Sequence, residues 1–203
     1  NGFTYAFYQS FYGCTGLVTP PSLPSTTLST YMYGVMFYGC SSMTSAPALN
    51  ATTITANCYR SMFNGCSSLT VAPTLPATTL AESCYSSMFR DTAITTAPNL
   101  PATTLAKGCY ESMFFGCTSL TTAPTISATT LAESCCQHMF RGCSSLTSAP
   151  TLPATTIAQA CYLYMFYQCT NLVTPPPSLP ATTLYTSCYE YMFYGCTSLT
   201  STT

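Results

Sequence analysis

The chain has 203 residues, of which 47% are hydrophobic and only 4% are charged, and its net charge at pH 7 is −1. This composition supports a folded core and gives no electrostatic basis for binding nucleic acid or an anionic membrane. It contains no apolar run of about eighteen residues, so no transmembrane segment is predicted. Residues 1–13 lack the basic start and apolar run of a signal peptide, so we expect a mature chain or a fragment.

Phenylalanines recur through the whole chain at spacings of 25 to 27 residues. A fixed period in this range is typical of solenoids, in which each repeat packs only on its neighbours. We therefore predict a single array of about eight repeats over residues 1–203, or a window on a longer array. The phenylalanines that mark the repeats are Phe11, Phe37, Phe63, Phe89, Phe114, Phe140, Phe166 and Phe193.

The first half of each repeat has the apolar spacing of an amphipathic helix. With positions counted from the phenylalanine, apolar residues lie at −8, −5, −4, −1 and 0, which is one stripe of a helix of about ten residues. Thr79 and Glu82 have the spacing of a capping box at the start of the fourth helix. Gly65, at position +2 of the third repeat, is expected to end the preceding helix. The tyrosines at position −4 are predicted to be buried.

The second half of each repeat is uncharged and rich in proline. A short strand is predicted over residues 69–72, followed by an extended return in which Pro73 and Pro76 exclude a helix. Stacked strands would form a parallel sheet at about 5 Å per repeat, whereas helices pack about 8–10 Å apart, so the stack is expected to curve. The predicted fold class is an α/β solenoid with one short strand and one helix per repeat.

Two segments of the chain resemble the core of the BspA-type leucine-rich repeats of bacterial surface proteins. They are residues 193–200, with the sequence FYGCTSLT, and residues 140–147, with the sequence FRGCSSLT. The segment DTAI at residues 91–94 resembles an alternative that the same family uses. The resemblance implies an extracellular or cell-surface solenoid, often adhesive, without catalytic activity.

Most of the fourteen cysteines fall in two columns, at positions −5 and +3. Three interpretations are open: disulfides, a metal site, or buried thiols that act as small hydrophobic side chains. Thr92 replaces a +3 cysteine and Met32 replaces a −5 cysteine, yet the cysteines that would pair with them remain. Neither column includes a histidine or a carboxylate. The pattern therefore favours packed thiols, and we predict neither a metal nor a cofactor.

A second set of tyrosines lies on the variable face, in the first two and last two repeats. Exposed aromatic side chains at both ends indicate contact surfaces, although a surface with few charges would also carry tyrosine without any such role. These candidate contact residues are Tyr8, Tyr12, Tyr38, Tyr164, Tyr167, Tyr191 and Tyr194.

Other candidate residues are more scattered. Thr70, Thr96 and Thr122 are predicted to lie on the exposed strand side and form a binding face. Asn50 begins an N-glycosylation sequon, and Thr92 resembles a bacterial O-glycosylation site. His138, the only histidine, lacks the partners of a catalytic triad, so no enzyme is predicted.

No polar capping repeat is visible at either end of the array, although solenoids normally need one. Unpaired strand edges at such ends favour self-association. The leading hypothesis is therefore a non-catalytic extracellular or cell-surface structural and adhesive protein that assembles head to tail into a filament. The alternative is a module that binds a host or neighbouring-cell protein or glycan through the threonine-, serine- and proline-rich face.

Overall fold

The computed structural model describes residues 4–200, and in this range the chain winds into coils that correspond to the repeats. Each coil has a half made of turns, which contains the phenylalanine, and an extended half. The predicted helices are wrong: no residue from 4 to 200 is in an α-helix. The fold is therefore a solenoid of turns and extended segments, not an α/β solenoid.

In the place of each predicted helix, consecutive four-residue turns follow one another. Positions −6, −2 and +2 have a positive φ, as in Asn57 (57°), Ser61 (51°) and Gly65 (75°). An α-helix requires a negative φ at every residue and bonds from N–H to the C=O four residues earlier. Here the bonds reach back three residues, as from the N–H of Asn64 to the C=O of Ser61 at 3.2 Å.

The remaining backbone N–H groups of the turns cross to the next coil. The N–H of Tyr59 donates to the C=O of Cys84 at 3.1 Å, and the N–H of Phe63 donates to the C=O of Met88 at 3.0 Å. Amides that bond within a coil therefore alternate with amides that bond between coils. This alternation satisfies the backbone of the turn half without a helix or a regular strand.

The predicted strands are reduced to isolated parallel bridges. In the predicted strand at residues 69–72, only Val71 forms a bridge, and its partner is Ser45. A second row of bridges joins threonines at position −10, as between Thr79 and Thr104. Prolines lack a backbone N–H and interrupt the pairing between these two rows. Thr79 thus bridges two coils and does not cap a helix. Because the coils contain no helices, the mismatch between helix spacing and strand spacing, from which the curvature was predicted, is absent.

Buried columns of identical side chains fill the space between the two halves of each coil. The phenylalanine rings stack from coil to coil, with centroids 5.7 Å apart between Phe63 and Phe89 and 5.8 Å apart between Phe89 and Phe114. The tyrosines at position −4 form a parallel stack, with 5.8 Å between Tyr59 and Tyr85. Their predicted burial is confirmed in repeats two to five, in repeat seven and, less completely, at Tyr189.

Candidate functional surfaces

The outer surface of the turns, here called the turn face, displays side chains in columns because successive coils are in register. In the column at position +1, Tyr12 stacks on Tyr38 with centroids 4.9 Å apart, and Tyr167 stacks on Tyr194 at 5.1 Å. In the column at −2, Tyr164 stacks on Tyr191 at 5.0 Å. The structure therefore brings the predicted end tyrosines together in two clusters.

The first cluster includes tyrosines that sequence reasoning missed. Tyr5 and Tyr31 lie in a third column at position −6 and stack with centroids 4.9 Å apart. Tyr8 stands nearly perpendicular to both, at interplanar angles of 86° and 88°. The signal was the recurrence of tyrosine at −6 in the first two repeats, four residues before position −2 and seven before +1, which is the spacing of a single face even in the predicted helix.

The second cluster extends towards the middle of the array through two arginines and a phenylalanine. The Arg90 guanidinium lies 4.1 Å from the centroid of the Phe115 ring, and the Arg141 guanidinium lies 4.5 Å from that of Tyr167 and 5.2 Å from that of Phe115. These are cation–π contacts. Sequence reasoning missed Phe115, although it occupies position +1 of its repeat.

His138 belongs to the same cluster and is half-buried. Its ring stacks on Tyr164 with centroids 5.0 Å apart, and its buried Nδ1 has no hydrogen-bond partner in the structure. Burial, then the charges of Arg141 and Arg90, lower the pKa of His138 below its ordinary value. The imidazole is therefore neutral at pH 7 and acts here as one more stacked ring.

The cysteines are free thiols in this structure, and the buried cysteines at +3 share one hydrogen-bond geometry. Each buried Sγ–H donates to the phenylalanine C=O of the preceding coil, as from Cys66 to Phe37 at 3.1 Å and from Cys117 to Phe89 at 2.9 Å. Burial raises the pKa of Cys66 to about 12 and that of Cys117 to about 11. Buried, protonated thiols of this kind are unreactive, which supports a packing role.

The three candidate threonines are exposed but do not form one column. Thr96 and Thr122 form a parallel bridge, so they are neighbours on adjacent coils. Thr70 is offset by one position, because its C=O accepts a bond from the N–H of Thr95 at 3.4 Å. The predicted binding face therefore consists of two adjacent columns.

The two candidate glycosylation residues have opposite environments. Asn50 is exposed, at the edge of a depression of about 340 Å³ that Pro20, Pro21 and Pro47 also line. Thr92 is buried, and its Oγ1 donates to the C=O of Phe89 at 2.8 Å. Modification of Thr92 would require local opening of the coil, whereas that of Asn50 would not.

Charged groups on the turn face form two local ion pairs. Lys107 Nζ lies 2.9 Å from Glu133 Oε1, and Arg90 Nε lies 3.2 Å from Asp91 Oδ2. In residues 4–200, no group of three or more histidine, cysteine, aspartate or glutamate side chains is arranged to hold a metal ion. The same part of the chain contains no helix of the length and hydrophobicity needed to cross a bilayer.

The chain was compared with protein families, curated proteins and solved structures. The family model of the BspA type leucine rich repeat region matches with six copies, over residues 2–121, 36–173 and 107–203. A crystal structure of a leucine-rich repeat protein from Bacteroides ovatus ATCC 8483 is 20% identical, with a TM-score of 0.55. The match covers 85% of this chain and 40% of that protein. Among curated proteins, none matches significantly.

Proposed function

Because the chain belongs to the family of BspA-type leucine-rich repeat proteins, we propose that it is a non-catalytic structural and adhesive module of a cell-surface or secreted protein. We further propose that such modules stack end to end. The observation that carries this proposal is the one-way direction of the backbone hydrogen bonds between the turn halves of neighbouring coils. Position n of each coil donates its N–H to the C=O at position n−1 of the next coil, as from Tyr85 to Cys109.

The two ends of the described array are complementary for this reason. In residues 4–200, the C=O groups of Ala6, Tyr8 and Ser10 on the first coil have no backbone partner. On the last coil, the N–H groups of Tyr191 and Phe193 likewise have none in the described range. A further coil, from a second copy, would meet each open donor with an open acceptor in the register used within the array.

Aromatic rings at the two ends add to this complementarity. Tyr12 and Tyr194 both lie at position +1, and each stacks one ring face on its inner neighbour, Tyr38 or Tyr167. When a first coil follows a last coil, these two rings would continue the same column. Stacking of this kind contributes roughly 0.5–1.5 kcal/mol per pair beyond the area that is buried.

The experiment combines electron microscopy and sedimentation velocity over a range of concentrations of the 203-residue chain. We expect linear assemblies that lengthen with concentration. Introducing lysine at both ends of the +1 column, in the double variant Tyr12→Lys and Tyr194→Lys, should dissociate them through like-charge repulsion. Glu82→Lys, exposed on the turn face but away from the ends, should leave assembly intact. A wild-type chain that stays monomeric at high concentration would contradict the proposal.

A second candidate function is the binding of a protein or glycan to the threonine- and proline-rich face. The observation in its favour is a shallow depression of about 260 Å³ between neighbouring coils, which Pro73 and Pro98 line. Lysines in place of Thr70, Thr96 and Thr122 should abolish the binding of the labelled chain to a glycan array or to cultured host cells. Glu82→Lys, on the turn face, is the control. Unchanged binding by the triple variant would rule out this face.

A further inference from the structure

The turn face contains an open cleft of about 480 Å³ at the first three coils. Tyr31, which is stacked on Tyr5, lies on one side, and the stacked pair of Tyr12 and Tyr38 lies on the other. The cleft exists because the column at position −2, between these two columns, has small side chains in the second and third coils. Later coils carry Tyr164 and Tyr191 at that position, and these rings fill the equivalent space.

Val35 and Ser61 line the cleft at position −2. Because the rings of Tyr12 and Tyr38 are nearly parallel, at 5°, and stacked, their inner faces are covered. Stacked tyrosines of this kind offer a ligand their edges and hydroxyl groups. Ring edges carry partial positive charge and favour oxygen acceptors, and phenol hydroxyls both donate and accept hydrogen bonds.

Tyr8 is oriented differently from the other rings of the cleft. It stands at 86° to Tyr5 and at 88° to Tyr31, so it contacts both rings edge-to-face and belongs to no stacked pair. Tyr8 also lines the cleft. Gly34 makes room for this orientation, since a Cβ there would lie 3.3 Å from Tyr8 Cδ2. The cleft thus contains one aromatic ring on which no neighbouring ring is stacked.

Arg60 supplies the positive charge of the cleft. Its side chain is exposed, and its one hydrogen bond in the structure is a long contact of 3.5 Å from Nη1 to Asn57 Oδ1. Within residues 4–200, neither of the two ion pairs includes Arg60. A guanidinium group without a carboxylate partner is suited to bind a carboxylate of a ligand through two parallel hydrogen bonds.

We propose that this cleft binds a sugar unit that carries a carboxylate, such as a uronic acid or a sialic acid. The C–H groups of the pyranose ring pack on the face of Tyr8, the phenol hydroxyls and Ser61 bond the sugar hydroxyls, and Arg60 binds the carboxylate. A planar aromatic ligand without a carboxylate fits less well, because it would form no ion pair with Arg60 and one face of each stacked ring is already covered. This site is separate from the threonine-rich face, and it does not depend on end-to-end stacking.

Isothermal titration calorimetry of the full chain tests this assignment, at a concentration where sedimentation shows monomers. The probes are glucuronate, N-acetylneuraminate, glucose and acetate. We expect at least one of the two sugar acids to bind about tenfold or more tightly than both glucose and acetate. The preference for glucuronate or N-acetylneuraminate identifies which class of acid the cleft takes.

Variants of residues that line the cleft test whether the sugar acid binds there. Arg60→Gln should remove the preference for the sugar acid over glucose, and Tyr8→Ala should weaken the binding of both, whereas Tyr8→Phe should retain it. Arg141→Gln removes the same charge from the second aromatic cluster and should behave as wild type. The proposal is overturned if neither sugar acid binds, if acetate binds equally well, or if Arg141→Gln lowers the affinity as much as Arg60→Gln.

Discussion

The space available for a side chain at position +2 depends on the residue at the same position of the preceding coil. Gly116 and Gly142 have nearly the same backbone conformation, with φ of 72° and 74°. A Cβ on Gly142 would lie 3.8 Å from the Cα of Gly116, which is ordinary van der Waals contact. A Cβ on Gly116 would overlap the carboxylate of Asp91, which stands at the +2 position of the preceding coil in place of glycine.

Gly116→Ala should therefore destabilise the chain more than Gly142→Ala does. Both substitutions put a side chain in the left-handed region at a cost of about 1 kcal/mol. Gly116→Ala must also displace the Asp91 side chain from its ion pair with Arg90, so its free energy of unfolding should be lower by up to about 1 kcal/mol more, the upper limit for an exposed ion pair. Urea unfolding of both variants measures the difference.

Asp91→Gly in combination with Gly116→Ala provides the control, because it removes the overlap and leaves only the backbone term. Relative to Asp91→Gly alone, the double variant should lose about as much stability as Gly142→Ala loses relative to wild type. Equal stability of the two single alanine variants would show that Asp91 does not constrain the following coil.

The four-residue turn is the element that sequence patterns misidentified. Apolar pairs such as Cys84–Tyr85 and Met88–Phe89 recur every four residues, which over one short segment is close to the helical period of 3.6. The distinguishing signal was the residue two before each phenylalanine, which is serine in repeats three, four and five, together with glycine at +2. Glycine, asparagine and aspartate are favoured where turns need a positive φ, and serine is common in turns.

The difference between the spacing of neighbouring coils and the spacing of packed helices also determined which surface residues could be predicted. Repeat length, core columns and the tyrosine-rich ends follow from the period alone. The contacts of Tyr31 with Tyr5 and of Arg141 with Phe115 could not be predicted from the period, because equivalent side chains on helices about 8–10 Å apart would be too far apart to stack. Neighbouring coils place equivalent side chains about 5 Å apart, so these side chains can stack, as the distances of 4.9 Å and 5.2 Å show.

Ser87→Gly distinguishes the turn from the helix. Ser87 has a φ of 54°, where glycine is unstrained, so the variant should be as stable as wild type or up to about 1 kcal/mol more stable. In a helix interior the same change would be destabilising. Thermal unfolding measures the effect, and Glu82→Gly, at an exposed position without a positive φ, should lose stability. A loss at Ser87 as large as that at Glu82 would argue against the turn.

At the scale of the whole molecule, the buried thiols act together because their columns run through most coils. Burial raises the pKa of Cys58, Cys66 and Cys169 to about 12, from an ordinary value of 9.0. The folded state thus keeps these protons at a pH where the unfolded chain releases them. Their contribution to stability is complete below about pH 9 and is lost as the pH rises towards 12.

We therefore expect the free energy of unfolding to fall steeply above pH 9. Urea unfolding under reducing conditions between pH 7 and 10.5 should show a loss of more than about 1 kcal/mol per pH unit at the alkaline end. Cys117→Thr should reduce this slope, and threonine is tolerated at this position in the preceding coil, at Thr92. A stability independent of pH would contradict the buried, protonated state.

The alternating backbone pattern of the turns gives the array an electrical polarity. Every second peptide unit of the turn half directs its N–H towards the next coil and its C=O towards the previous one, as at Tyr110 and Cys135. The intervening units bond within their own coil, so they do not oppose this alignment, whereas in a β-sheet successive peptide dipoles nearly cancel. The peptide dipoles of successive coils therefore add, as they do along an α-helix. The solenoid carries a macrodipole along its axis, with its positive pole at the coil of Phe193 and its negative pole at the coil of Phe11.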